Sequence, residues 1–277
     1  NKFKVMLAAH MDEIGLMVKY IDEKGFIRFV ALGGWYGPTL YNQRVILHGS
    51  KGKYLGVIGG KPPHMMDDDE RKKGVKIDDM FIDIGAKNRE EVEYLGIEVG
   101  TPVTVDREFA ELAYNRVSGK AFDNRAGVAM LIKALKEMDS PLTIFGVFTV
   151  QEEVGLRGAR VAAYALNPDA GIAVDSTPAI DLPVWDGSEN AQYNTRLGLG
   201  PAIYIADGST ISDPRLVRHL AQTAEALSLP YQFRQPGGGG TDAGAIHLRR
   251  EGIPSVSISV PGRYAHSPVL VARLSDW

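Results

Sequence analysis

Residues 5–9 form a short unbroken apolar run, the pattern of a strand buried on both faces. Between residues 15 and 116 the pattern becomes one of short alternating or β-branched runs, at 26–32, 44–47, 54–58, 81–84 and 102–105, broken by Gly and Pro. That punctuation predicts a small all-β domain. Beyond about residue 117, apolar positions recur with helical spacing over 125–137, 157–166, 214–228 and 241–251. They alternate with core-strand runs at 142–150, 170–175, 202–206 and 255–260. The simplest arrangement is an α/β layered domain made of residues 1–15 and 117–277, interrupted by an inserted β-rich domain at 16–116. The charged run 67–73, with His64 just ahead of it, could be mistaken for a metal cluster, but a block of adjacent acids followed by bases is far more often a solvated loop, and it is given no function.

Composition narrows the function. With 44% hydrophobic and 23% charged residues over 277 positions, the chain has ample material for a buried core, and disorder is excluded. A net charge of −3 gives no broad electropositive surface, which sets aside nucleic acid and anionic lipid as partners. The absence of cysteine excludes disulfides, a thiol nucleophile and every thiolate metal site, so a bound metal must be held by imidazole and carboxylate. It also suits a reducing cytoplasm. The longest apolar stretch, 142–150, is too short to span a bilayer, and the run at 5–9 is too small for a signal peptide. The expectation is a soluble, cytoplasmic protein. The chain opens at Asn1 directly ahead of a strand and stops at Trp277 without a closing element, so the ends of a longer parent chain are expected to be absent.

Metal-capable residues fall in or just beyond the predicted strand ends or at a helix entrance: His10 after 5–9, Asp123 before the helix at 125, Glu152 and Glu153 after 142–150, and Asp175 closing 170–175. His266 follows 255–260 by a short loop. Ligands of an open α/β sheet bind at the carboxyl ends of its strands, so these side chains should converge there. Taken singly, each has an ordinary explanation, as a hydrogen-bonded histidine, a helix cap, a turn residue or a surface acid patch. Taken together they do not, since unpaired acids at the end of buried strands are costly. Two histidines and three carboxylates suit a pair of divalent ions, with one carboxylate shared, and one acid is left over. Adjacent side chains on an extended segment diverge, so one of Glu152 and Glu153 should ligate while the other faces substrate.

Six segments carry a resemblance: Ala-Ala-His-Met-Asp-Glu-Ile-Gly (8–15), Ala-Phe-Asp-Asn-Arg-Ala-Gly (121–127), Val-Gln-Glu-Glu-Val-Gly-Leu-Arg-Gly-Ala (150–159), Ala-Val-Asp-Ser-Thr-Pro (173–178), Gly-Gly-Thr-Asp-Ala-Gly-Ala-Ile (239–246) and Arg-Tyr-Ala-His-Ser-Pro (263–268). In order and spacing, over nearly the whole chain, the sequence resembles the tetrahedral (TET) aminopeptidases, a family of glutamyl, leucyl and deblocking aminopeptidases. The resemblance implies a mixed-sheet αβα sandwich metallopeptidase domain with an inserted, PDZ-like or barrel-like all-β dimerisation domain. It implies two divalent metal ions per subunit, zinc first and cobalt or manganese as alternatives, and peptide substrates cleaved at the N-terminus by an activated water.

Carried over residue by residue, Asp123 bridges the metals, His10 and Asp175 complete one site, Glu153 and His266 complete the other, and Glu152 is the general base. Asp12 matches the family acid that holds the ligand histidine. The family also places a cis peptide bond after its bridging aspartate, which the resemblance implies for Asp123–Asn124 here. Gly239, Gly240, Thr241 and Asp242 border the substrate pocket, with Thr241 capping the next helix. The segment 59–64 matches the family in the inserted domain and reads as structural. Relatives build hollow tetrahedra of twelve subunits, which implies a homo-oligomer here, up to a tetrahedral dodecamer. Two rival readings remain: another two-metal hydrolase (a deacylase, a carboxypeptidase or a glycan-acting enzyme), and a non-catalytic assembly protein on the same architecture.

Overall fold

The computed structural model describes residues 2–183 and 194–277, and these form two compact units. One consists of Asn1–Glu13, Phe109–Ala265 and Val269–Trp277, the other of Ile14–Glu108 and His266–Pro268.

The second unit is a closed barrel. Its strands are β2 (Gly15–Ile21), β3 (Ile27–Leu32), β4 (Arg44–Gly49), β5 (Gly52–Gly59), β6 (Phe81–Asp83) and β7 (Pro102–Val105), following β1 (Lys4–His10) of the first unit. They close in the order β2-β3-β6-β5-β4-β7. Alternation sends Leu16, Val18, Ile27, Phe29, Val45, Leu47, Ile82, Val103 and Val105 into one core. Two short helices, α1 (Asp68–Lys73) and α2 (Arg89–Tyr94), join the strands. The charged run at 67–73, expected as a loop, is thus mostly the short helix α1, with Asp68, Asp69, Arg71 and Lys72 exposed. Asn88 caps α2 by accepting from Glu91 N at 2.9 Å, while the Glu91 carboxylate accepts from Lys87 N.

The first unit continues with β8 (Ala110–Leu112), β9 (Arg116–Gly119), α3 (Phe122–Glu137), β10 (Thr143–Thr149), α4 (Arg157–Leu166), β11 (Ala170–Pro178), β12 (Ala202–Tyr204), α5 (Pro214–Ala226), β13 (Gln232–Arg234), α6 (Ala243–Ile246), β14 (Ser255–Arg263) and β15 (Leu270–Arg273). Its strands build one mixed nine-stranded sheet in the order β10-β1-β11-β14-β15-β9-β8, with β12 on β14 and β13 on β12. The strands β10, β1, β11 and β14 are parallel, and β15, β9 and β8 add an antiparallel wing. Here β8 lies within the stretch 16–116 yet pairs into this sheet.

Helices cover both faces. Met6, Ala8 and Val147 pack with Ala159, Ala163, Ala245 and Ile246 of α4 and α6. Gly146, next to Val147 and so on the opposite face, lies where a Cβ would meet Leu135 of α3 at 2.2 Å. This is the αβα sandwich.

Differences from the sequence reading have local causes. The helix expected over 241–251 is only Ala243–Ile246, followed by a turn in which Arg249 N donates to the Ile246 carbonyl and Arg250 and Gly252 take positive φ of 54° and 99°. The strand carrying Asp175 runs on to Pro178, paired to β14 throughout, so Asp175 sits inside a strand rather than at its end. The strands β2, β8, β9, β13 and β15 and helix α2 were not singled out from the pattern, and five of these six elements are only three to six residues long.

One capping contact is testable. Asp213 accepts at 2.8 Å from Arg215 N at the start of α5 and binds the Arg215 guanidinium, which together hold its carboxyl down at about 2. Asp213→Ala should cost about 1 kcal/mol at neutral pH. A depressed carboxyl pKa stabilises above its unfolded value, near ~3.9, and that contribution is lost as pH falls toward 2. Denaturant titrations should therefore show the variant and the parent converging between about pH 4 and pH 2.

Candidate metal centre

Parallel register brings the chemistry to one edge of the sheet. His10, the last residue of β1, lies opposite Thr149, the last residue of β10, and on the other side Ala8 pairs with Ala173, which puts Asp175 level with His10. Asp123 comes from the entrance of α3, where Asp123 (φ −80°, ψ 102°) and Asn124 (φ −125°, ψ 31°) are not helical and the peptide bond between them is cis. The Asn124 side-chain amide donates to the Val174 carbonyl at 2.8 Å, tying the residue after Asp123 to the residue before Asp175. Arg125 donates to the Met11 carbonyl at 2.8 Å, which fixes the segment after His10.

Around His10 the arrangement is specific. Its Nδ1 meets the backbone carbonyl of Asp12 at 3.1 Å, so a proton there leaves Nε2 as the nitrogen that faces the acids. Nε2 lies 3.2 Å from Asp123 Oδ1, 3.4 Å from Asp175 Oδ1 and 3.9 Å from Glu152 Oε2. One imidazole nitrogen thus faces three carboxylates in a setting where His10 itself is 1% exposed. Burial alone would favour neutral imidazole, but Asp175, with Asp12 and Asp123, overrides it and raises the His10 pKa well above the usual histidine range.

The acids respond in the same sense. Burial, then Asp175, pushes Glu152 up to about 10, and burial, then Asp123, pushes Glu153 up to about 8. Asp175 is raised too, chiefly by its burial. Asp12 goes the other way: burial opposes ionisation, yet His10 and two backbone N–H groups hold its carboxyl below the ordinary value.

Those two N–H groups belong to Glu152, 3.1 Å from Asp12 Oδ1, and Glu153, 3.2 Å from Oδ2. The Asp12 carboxylate therefore grips the backbone of the paired glutamates, and its oxygen is 3.6 Å from His10 Nδ1. The glutamates converge rather than diverge, since both bring a carboxylate oxygen within 4.8 Å of His10. Gln151, just before them, has φ 58°, so the segment is a turn and not the extended chain that the alternation rule assumes.

The residues suit divalent ions. His10, Asp123 and Asp175 offer mutually close ligand atoms, as do His10, Glu152 and Glu153, and the donors are imidazole nitrogen and carboxylate oxygen alone. Asp123 also stands next to Glu153, being the largest charge acting on it, so it faces both groups. A buried cluster of like charges is held either by protons, as the raised values indicate, or by cations.

The other expected residues divide. Asp242 is 2% exposed, accepts from the Thr149 hydroxyl and is pushed up to about 6, mainly by burial. It also acts on Glu152 electrostatically, so it stands behind the site. The Thr241 hydroxyl is 2.6 Å from Ser257 Oγ and accepts from Ala243 N at 3.2 Å, while Asp242 takes the cap position itself. Gly239 and Gly240 are exposed on the preceding loop. His266 belongs to the barrel unit by its contacts, with Nδ1 2.9 Å from the Gly34 carbonyl oxygen. Sequence reasoning gave no role to Asn124, Arg125 or Thr149. Only Thr149 carried a signal, as a polar residue near the end of an otherwise apolar strand.

Over residues 1–277 the chain matches the family described as M42 glutamyl aminopeptidase. It is 37% identical to the lysyl aminopeptidase of Pyrococcus furiosus over 277 residues, covering 99% of this chain and 78% of that protein. Among solved structures, aminopeptidase APDkam598 of Desulfurococcus kamchatkensis is 44% identical with a TM-score of 0.92, covering 100% of this chain and 76% of that one. The Pyrococcus horikoshii TET1 peptidase, which can assemble into a tetrahedron or a large octahedral shell, is 34% identical with a TM-score of 0.86, covering 100% and 80%.

Proposed function

The chain belongs to the M42 glutamyl aminopeptidase family and is a hydrolase of the aminopeptidase class, and from that premise we propose that it removes N-terminal residues from peptides with Glu152 as general base. The observation that carries this reading is the buried His10 nitrogen ringed by Asp123, Asp175 and Glu152, with Glu153 beyond Asp123. His10 and Asp175 would hold one divalent ion, Glu153 and His266 a second, with Asp123 shared between them. His266 follows the end of β14 by three residues, which is the sheet edge where His10 sits on its own strand. When bound, the ions supply Lewis acidity that acidifies a water, polarises the scissile carbonyl and docks a free α-amine.

The chain's residues do the rest. Glu152 is the acid farthest from the His10 nitrogen among the three, and burial holds its proton affinity high. It takes a proton from the attacking water and passes it to the leaving amine. Asp12 holds its backbone in place for both transfers. Hydrolysis of amino-acid anilides, against N-acylated peptides and cellulose as controls, tests the activity. Turnover of the controls alone would transfer the assignment to a deacylase or a glycan-acting enzyme.

Metal binding should be coupled to pH. The His10 imidazole and Glu153, both ligands in this reading, carry protons in the metal-free site, with Glu153 at about 8, and these must leave before the two groups ligate. Titration calorimetry of chelator-treated protein in buffers of different ionisation enthalpy should show net proton release near pH 7. Affinity should rise with pH, about tenfold per unit for each proton released.

Zinc is the ion this reading favours, with cobalt and manganese compatible with the same nitrogen and oxygen donors. Among the described residues no helix is long and apolar enough to cross a membrane, and a chain without cysteine suits the cytoplasm. The barrel unit serves as the dimerisation domain. It shows Val30, Leu55 and Val57 to solvent on β3 and β5, an apolar content better suited to an interface than to a free surface. We extend this to a homo-oligomer, up to a tetrahedral dodecamer, by analogy with the assembling TET1 peptidase. A light-scattering mass equal to one chain would refute it.

A further inference from the structure

Arg234 ends β13, is 2% exposed, and heads the fully buried side chains in size among the described residues. Taking a guanidinium out of water is costly, so packing alone would be better served by an apolar residue. Its contacts say what the charge is for. Nη2 donates to the Gly238 carbonyl at 2.6 Å and Nη1 to the Ala206 carbonyl at 3.3 Å, while the guanidinium lies 4.3 Å over the ring of Tyr204, its partner across β12 and β13. Arg234 thereby ties the loop 236–240 to the turn at 206–210.

A second clamp lies one residue on, where Gly208 N donates to the Gly239 carbonyl at 2.8 Å. The approach is close enough that a Cβ on Gly208 would lie 2.7 Å from that oxygen, and Gly239 itself has φ 79°. Beyond the loop, the Thr241 hydroxyl meets Ser257 and Asp242 meets Thr149. In a planar trans peptide the N–H points opposite to the C=O. With the carbonyls of Gly238 and Gly239 turned toward Arg234 and Gly208, the N–H groups of Gly239 and Gly240 face the other way, on residues that are exposed. Among the described residues neither N–H has an acceptor.

We propose that Arg234 is a positioning residue for substrate: it holds the glycine loop so that the Gly239 and Gly240 N–H groups donate to the backbone carbonyl of the bound peptide. This rests on the reading of residues 239–242 as a substrate-binding segment. The test is steady-state kinetics on a peptide substrate with the metal-loaded enzyme, with metal content and thermal denaturation measured for each variant. Arg234→Met should raise KM about tenfold or more, leave kcat within about threefold and leave metal content unchanged, the loss of one well-formed charge-assisted contact. Arg234→Lys, which keeps a charged donor, should recover part of the KM. Gly208→Ala, which displaces the loop without touching Arg234, should raise KM in the same way.

A wild-type KM for Arg234→Met beside a raised KM for Gly208→Ala would overturn the role of Arg234 and leave the loop reading standing. Wild-type KM in both would overturn the loop reading itself. A fall in kcat or metal content with KM unchanged would also overturn the proposal, since it would mark Arg234 as support for the metal centre. If Arg234→Met does not fold, Arg234→Gln is measured in its place and judged by the same outcomes.

Discussion

Glu152→Gln should lower kcat by a factor of about 10²–10⁴ while the protein keeps its metal content and its KM within a few fold. Glutamine has nearly the same shape and is neutral, which is the state that burial and Asp175 already favour for Glu152 in the metal-free site. The fold therefore has no reason to object to the change. What is lost is the ability to take a proton from water and return it to the amine. Stopped activity with intact metal, measured by elemental analysis beside peptide hydrolysis, supports the general-base role. Near-normal turnover would sink it and would leave Glu153, the adjacent buried acid, as the candidate.

Asp123→Ala should be still more severe, abolishing activity by emptying the centre. Asp123 Oδ1 is 3.2 Å from His10 Nε2, and the same carboxylate is the largest charge acting on Glu153, so it belongs to both halves of the cluster. On the proposed two-ion assignment, its removal should leave fewer than one ion per chain at micromolar free zinc, whereas Asp175→Ala should spare the ion assigned to Glu153. Losing a ligand commonly costs far more than the tenfold to hundredfold typical of the groups that support ligands. If Asp123→Ala retained two ions, the bridging assignment would fail, whatever its effect on rate.

These two experiments separate what was legible in the amino-acid order from what was not. The convergence of His10, Asp123 and Glu153 was readable because each flanks a core-strand run or a helical repeat, and the six motifs fall in an order that matches one family over the whole chain. The barrel strands at 44–47, 54–58 and 102–105 were readable for the same reason, and β7 matches its expected bounds. Short elements escaped. A three-residue strand such as β13 (Gln232–Arg234) has too few positions to show alternation, so it becomes visible only through its pairing with β12. The turn at Gln151 escaped as well, because a positive φ at a residue other than glycine leaves no mark in the pattern.

Sequence alone determined the kind of chemistry, since a chain without cysteine can gather metal only with histidine and carboxylate, and it determined the α/β alternation with a β-rich insertion. The tertiary structure alone decided which atoms meet. Asp12 turned out to grip the backbone of Glu152 and Glu153, and Arg234 to brace the glycine loop. The physical reason is range: periodicity and composition report on a residue's own neighbours and its burial, whereas these contacts join segments over 100 residues apart, or bury a charge whose partners are backbone carbonyls that no side-chain pattern reveals.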